Sequence, residues 1–196
     1  VNSPAKDSAI LITGTSSGIG KDLALHLAHL GYTVFATVRQ ERAGEALKEA
    51  AISKGVKARL RPTLLDVTEM DKLEGVIQDI LRQCTEDGLA LVALINNAGI
   101  GHSLPVELTP ASQLEEIMRT NFLGPAEITR LLLPTLRQCQ GRIINMGSLA
   151  GIVNPPWYGA YSGSKAAVFA WNDVLRREMA PFGVGVSILE PGVIAS

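Results

Sequence analysis

The stretch Ala9-Ile10-Leu11-Ile12-Thr13-Gly14-Thr15-Ser16-Ser17-Gly18-Ile19-Gly20 decides the fold. Residues 9–13 form a short apolar run that ends in a glycine, the pattern of a buried strand. Leu23, Ala24, Leu27, Ala28 and Leu30 then recur at helical spacing, and Gly31 closes the helix. A glycine-rich turn between strand and helix lets backbone N–H groups approach a pyrophosphate at the helix N-terminus. The candidate contacts are Gly14, Ser16, Ser17, Gly18, Ile19 and Gly20. Their spacing is G-x-x-x-G-x-G, which is not the G-x-G-x-x-G fingerprint. It is not the G-x-x-x-x-G-K phosphate loop either, because Lys21 falls in the wrong place. Three glycines can also serve a turn alone; the strand–turn–helix context favours dinucleotide binding.

The same alternation continues outward. Thr33–Val38 reads as a second strand, 43–54 as a helix ended by Gly55, and 56–65 as a third strand. Thr68 is placed to cap a helix whose apolar face is Met70, Leu73, Val76, Ile77, Ile80 and Leu81. A fourth strand over 91–95 is followed by a loop and a long helix over about 111–137, disturbed at Pro125 and Pro134. Arg142–Met146, a helix over 157–179 and a strand over 184–189 complete the order. Strands that are apolar throughout and alternate with helices imply a parallel sheet covered on both faces. The predicted class is α/β: a Rossmann-like doubly wound parallel sheet of at least six strands, three layers α/β/α, in one domain over 1–196.

Bulk properties narrow the function. A net charge of −1 lacks the basic footprint of a nucleic-acid binder. The longest apolar run, 89–95, is far short of the roughly 20 residues a membrane helix needs. Cys84 and Cys139 have no ligand spacing and read as reduced thiols of a cytoplasmic protein. His26 and His29 read as surface residues and His102 as a loop residue, so no metal site is expected.

Chemistry-bearing residues fall at the strand ends. After the second strand, Arg39 stands where a free ribose 2′-OH would call for an acid. Its guanidinium suits a 2′-phosphate, which favours NADP(H), with NAD(H) as the alternative. Asp66, beside Val67, either meets an adenine or caps the following helix. Asn96-Asn97-Ala98-Gly99 closes the fourth strand, where small residues permit close approach and Asn side chains brace adjoining strands. Ser148, after the fifth strand, can donate to a carbonyl oxygen. Asn121 is a poor helix former inside a helix, placed for a polar relay or a backbone contact. Tyr161 and Lys165, four residues apart, share a helix face, so a fixed cation stands near a phenol and favours its ionised form.

Taken together, these residues resemble a short-chain dehydrogenase/reductase of the Tyr-x-x-x-Lys type. The matching elements are Thr13 to Gly20, Asp66, Asn96 to Gly99, Asn121, Ser148, Tyr161 with Lys165, and Pro191-Gly192, in family order. Ala36-Thr37-Val38-Arg39, Leu175-Arg176-Arg177-Glu178 and Pro181-Phe182-Gly183-Val184 are similar to the hydroxysteroid and retinol dehydrogenase branch. The resemblance implies an enzyme in which Tyr161 is general acid and base and Lys165 holds the nicotinamide ribose and favours the phenolate. Ser148 would bond the substrate oxygen, and Asn121 would hold a water linking Lys165 to solvent. Pro191 and Gly192 would line the nicotinamide. Family members continue past Pro-Gly into a substrate-binding loop and a seventh strand. The chain therefore reads as truncated, with Ser196 where a carboxamide-contacting Thr is frequent.

The pocket residues in hand, Ile100, Leu149, Ile152, Val153, Pro155, Trp157 and Tyr158, suit a small hydrophobic carbonyl or secondary alcohol. Apolar residues on more than one face of the 111–137 and 157–179 helices suggest a homodimer or homotetramer. Two other readings compete. A non-catalytic NAD(P)-binding sensor, or an inactive fragment, needs the glycine turn but not Ser148, Tyr161 and Lys165 together. A methyltransferase expects an acid where Arg39 stands.

Overall fold

The computed structural model describes residues 7–192, so Ser196 lies outside the described residues. Six strands are β1 (Ser8–Ile12), β2 (Thr33–Val38), β3 (Leu60–Leu64), β4 (Ala90–Asn96), β5 (Arg142–Met146) and β6 (Gly185–Leu189). They pair in parallel in the order β3-β2-β1-β4-β5-β6. The helices are α1 (Gly18–His29), α2 (Glu41–Ser53), α3 (Met70–Glu86), α4 (Ala111–Met118), α5 (Gly124–Gln138), α6 (Ala150–Val153) and α7 (Gly159–Met179).

Every residue of β1 and β2 is buried, because helices cover both faces of the sheet. Alternation along β1 divides the core. Ala9 and Leu11 join Leu73, Ile77, Ile128, Leu132 and Leu175 beneath α3, α5 and α7. Ile10 and Ile12 join Ala24, Ala28, Leu47 and Ala51 beneath α1 and α2. At β6 Val186 is buried while Ser187 and Leu189 are exposed. The chain leaves β1 toward one neighbour and reaches β4 as the other, so the order reverses between them. Loops diverge at that point and leave a crevice at the carboxyl edge.

Four boundaries depart from the sequence expectation. The third strand starts at Leu60 rather than 56, because a 3-10 turn occupies Lys57–Arg59. Thr68 does not cap α3: its hydroxyl and its N–H both donate to Asp66 Oδ1, at 2.7 and 2.9 Å, two residues before the helix starts. The long helix is two, joined by a π turn over Arg119–Leu123 in which the Gly124 N–H reaches back to the Arg119 carbonyl. Residue 125, the α-helical donor to the Asn121 carbonyl, is a proline without an N–H, so the disturbance falls ahead of Pro125. Pro134 sits inside α5 without ending it. The last helix begins at Gly159, because Trp157 has φ +68 and cannot be helical. The short α6 and a 3-10 turn at Val106–Leu108 carry no periodic signal and were not expected.

Candidate active site

The crevice is built by hydrogen bonds between strand ends. The Thr13 hydroxyl accepts the N–H groups of Asn97 and Ala98, each at 3.0 Å. Asn97 Nδ2 returns two bonds, to the carbonyls of Thr13 (2.9 Å) and Gly14 (2.8 Å). These four bonds lock the β1 turn to the β4 end. Gly20 is required there, since a Cβ would overlap the Gly14 carbonyl oxygen and the Asn97 amide. Asn96 points into the layer behind the site, where its Nδ2 donates to Asn145 Oδ1 (2.8 Å) and Thr129 Oγ1 (3.0 Å).

A cleft of about 470 Å³ follows. It is lined by Gly14, Ser16, Ser17, Gly18, Ile19 and Gly20, by Arg39 and Val67, and by Asn97, Ala98 and Gly99. Its far end reaches Ser148, Tyr161, Pro191 and Gly192. Ser17, the residue before α1, makes no side-chain cap, and the first turn holds no acid. Among the described residues, the leading N–H groups of α1 therefore have no side-chain acceptor where the cleft passes, which fits a pyrophosphate. Leu65 and Val67 flank Asp66 in the cleft wall. Asp66 itself spends Oδ1 on the N–H and hydroxyl of Thr68, a local turn ahead of α3 rather than the helix cap that the sequence offered.

A second, largely apolar cleft of about 720 Å³ meets the first at Ser148, Tyr161 and Gly192. Ile100, Leu149, Val153, Pro155 and Tyr158 line it as expected. Ile152 and Trp157 do not, and are exposed instead. His102 is exposed, as are His26 and His29.

Lys165 is the electrostatic centre. It is 5 % exposed, its Nζ donates to the Met146 carbonyl at 2.7 Å, and it stands 5.7 Å from the centre of the Tyr161 ring. Burial alone pushes its ammonium down to about 8. Asn121 lies beside it but is fully engaged. Its Oδ1 accepts the Ile100 N–H (2.8 Å), and its Nδ2 donates to the Ile100 carbonyl and to Ser164 Oγ (both 2.9 Å). Gly99 fills the space between them: a Cβ would come within 3.4 Å of Asn121 Oδ1 and 3.6 Å of Lys165 Nζ. Ser148 Oγ accepts the N–H of Ala150, the first residue of α6, at 3.2 Å.

Every candidate other than Asp66, Ile152 and Trp157 thus comes to one of two joined clefts or their immediate support. Sequence reading missed the Thr13 hydroxyl's double role and the wall positions Thr37, Leu65 and Thr120. It also missed the Ser164 link and Gly101. Ser164, next to Lys165 in the helix, had a position that could have flagged it; the others line the site only because separate strand ends meet.

Fold and crevice together define a dinucleotide-binding α/β protein with a Ser, Tyr and Lys at the cleft junction. The family described as short chain dehydrogenase matches residues 8–196, and the chain belongs to that family. It is 36 % identical over 191 residues to estradiol 17-beta-dehydrogenase 2 of Rattus norvegicus, covering 96 % of this chain and 49 % of that protein. Its identity to retinol dehydrogenase 5 of Mus musculus is 39 % over 190 residues, covering 96 % and 57 %. The chain therefore spans about half the length of these relatives. Among solved structures, NAD+-bound xylitol dehydrogenase superposes with a TM-score of 0.88 at 27 % identity, covering 97 % of this chain and 72 % of that one. A gluconate 5-dehydrogenase from Burkholderia cenocepacia in complex with NADP and tartrate gives 0.86 at 25 % identity, covering 96 % and 72 %. No helix among the described residues is long and apolar enough to cross a membrane.

Proposed function

We propose that the protein is an NADP(H)-dependent oxidoreductase that interconverts a carbonyl and a secondary alcohol on a small hydrophobic molecule, with Tyr161 as general acid and base. The observation that carries this reading is the junction of a glycine-rich cleft of mixed polarity and a largely apolar cleft at Ser148 and Tyr161, with a buried ammonium behind them. The α1 N-terminus and Arg39 hold the two phosphate ends, and Lys165, Pro191 and Gly192 take the nicotinamide half. The nicotinamide, when bound, supplies or accepts the hydride.

The chain's own groups manage the proton. Ser148 donates to the substrate oxygen and orients it toward the phenol. Tyr161 gives its proton to that oxygen in reduction and takes it back in oxidation. Lys165, a cation without a carboxylate partner among the described residues, favours the phenolate between the two events. Asn121 fits the relay role through its main chain. Its side chain is committed to Ile100 and Ser164, while the α-helical donor to its carbonyl is missing at Pro125.

The names of the relatives suggest retinol and estradiol as first alcohols to offer with NADP+, and the apolar cleft suits both. Replacing Tyr161 with Phe is expected to abolish turnover while NADPH affinity stays within about twofold, the split expected when only transition-state chemistry is lost. Retained turnover refutes the acid/base role. NADPH binding with no turnover of any offered substrate by the unmodified protein would instead support a sensor. Two free thiols, one of them buried, accord with a cytoplasmic location, which cell fractionation tests. The apolar groove of Leu123, Ala126, Leu133 and Trp171 accords with a homodimer or homotetramer through α5 and α7, read by light scattering.

A further inference from the structure

The loop after β4 carries Gly101 against the edge of the Tyr161 ring. A Cβ at Gly101 would stand 3.1 Å from Cδ2 and 3.3 Å from Cε2 of that ring, closer than such contacts normally come. A clash of this size is relieved by whichever side can yield. The loop is pinned on both sides of Gly101. One residue before it, the Ile100 N–H and carbonyl are both bonded to the buried Asn121 side chain at 2.8 and 2.9 Å. Three residues after it, the Leu104 N–H donates to the Trp157 carbonyl at 2.7 Å, closing a one-bridge parallel contact between Leu104 and Tyr158. Gly159, which opens the Tyr161 helix, abuts Val106: a Cβ there would meet Val106 Cγ2 at 2.9 Å. The ring has open space beside it, because Tyr161 lines both clefts. Its aromatic neighbour is Tyr158, edge-on at 6.3 Å and 38 % exposed.

We propose that Gly101 is a positioning residue: its bare backbone sets how far the Tyr161 ring may turn away from Ser148 and Lys165, and any side chain there displaces the phenol rather than the loop. This deepens the reading of Tyr161 as the proton-transfer group and rests on it. A reacting group misplaced by about 1 Å loses on the order of a hundredfold in rate, so a shift of a few tenths of an ångström costs about tenfold or somewhat less.

The test uses the full-length chain, with NADPH-dependent reduction of phenanthrenequinone as the probe reaction. Gly101→Ala is expected to lower kcat about tenfold, with KM, NADPH affinity and thermal midpoint close to those of the unmodified protein. Gly163→Ala, in the same helix and facing open space, serves as the control and is expected to leave kcat unchanged. Adding Gly101→Ala to Tyr161→Phe is expected to change nothing more. A kcat within twofold of the unmodified protein, or a loss that follows NADPH affinity or thermal midpoint, overturns the positioning role while Tyr161→Phe remains inactive. If Tyr161→Phe is active, the acid/base reading fails and takes the positioning role with it. Independently of turnover, a crystal structure of Gly101→Ala should show the ring moved and the loop in place; a moved loop around an unmoved ring overturns the proposal.

Discussion

At the scale of single residues, Lys165 is the least comfortable group in the fold. It is buried, and burial depresses its ammonium from the ordinary 10.5 to about 8. The sign of the consequence follows from proton counting. Below pH 8 both folded and unfolded chains carry the charge, and the fold bears the full desolvation penalty. Between about 8 and 10.5 the unfolded chain binds the extra proton, so stability rises with pH. The shift corresponds to about 3 kcal/mol at roughly 1.4 kcal/mol per unit, offset by about 1 kcal/mol for the bond to Met146. Lys165→Met is therefore expected to stabilise the cofactor-free protein by about 2 kcal/mol at pH 7 while abolishing turnover. Urea unfolding across pH should show the gain shrinking above pH 8; a gain that grows with pH contradicts this account. Arg39 makes a sharper functional prediction. Exposed at the end of β2 and on the cleft wall, it has little structural work to do. Arg39→Asp should weaken NADPH binding about tenfold or more and leave NADH binding unchanged, since a charged hydrogen bond contributes about 1.5–3 kcal/mol. Equal affinities of the unmodified protein for both cofactors would remove its role.

At the scale of elements, glycines mark where helices and loops touch. Gly124 opens α5 against the loop after β3, and a Cβ there would overlap the Val67 carbonyl oxygen. Gly75 sits inside α3 with nothing within contact distance. The two positions look alike in sequence: a glycine within a helical run. Their alanine variants should differ in sign. Gly75→Ala is expected to stabilise by about 0.5–1 kcal/mol through lower backbone entropy in the unfolded chain. Gly124→Ala should destabilise by about 1–3 kcal/mol through overpacking, and displace Val67 from the cleft wall. Thermal unfolding of the pair reads both, and matching signs would refute the contact picture. The π turn belongs to this scale too. A proline in the sequence signals a disturbance, but the donor missing at Pro125 leaves the carbonyl four residues earlier without its α-helical partner, so the π turn falls around Asn121 rather than at Pro125. That widened turn places the Asn121 amide beside Ile100 and Ser164.

At the scale of the whole molecule, a buried amide ladder ties the sheet to two helices. Thr129 of α5, Asn96 of β4, Asn145 of β5 and Asn172 of α7 are linked by bonds of 2.8–3.0 Å, all four residues buried. Asn145 is the middle link, accepting from Asn96 and donating to Asn172. Asn145→Ala is expected to destabilise the protein by about 3 kcal/mol, because it orphans two buried polar groups at about 1–3 kcal/mol each. In a double-mutant cycle with Asn172→Ala the losses should fall short of additive; additive losses would show that the ladder is not a unit. The thiols report on the same core. Burial pushes Cys84 up to about 11 and raises Cys139 as well, so neither is an activated thiol in the folded state.

What the sequence determined by itself is the layered α/β class, the strand inventory and most of the residues that come to the two clefts. Buried parallel strands need uninterrupted apolar runs, as Ala9 to Ile12 and Thr33 to Val38 show, and the chemistry sits at their carboxyl ends. Tyr161 and Lys165 were legible because one helix presents both on a single face. The tertiary structure alone decided the rest. Strand order β3-β2-β1-β4-β5-β6 brings Thr13 to Asn97 and Ile100 to Asn121 across many residues of chain, and no local pattern encodes a contact at that separation. The same holds for Gly101, a glycine that reads as loop chemistry until the Tyr161 ring is found against it. Local periodicity records which face a residue buries; which partner it meets there depends on how the layers close.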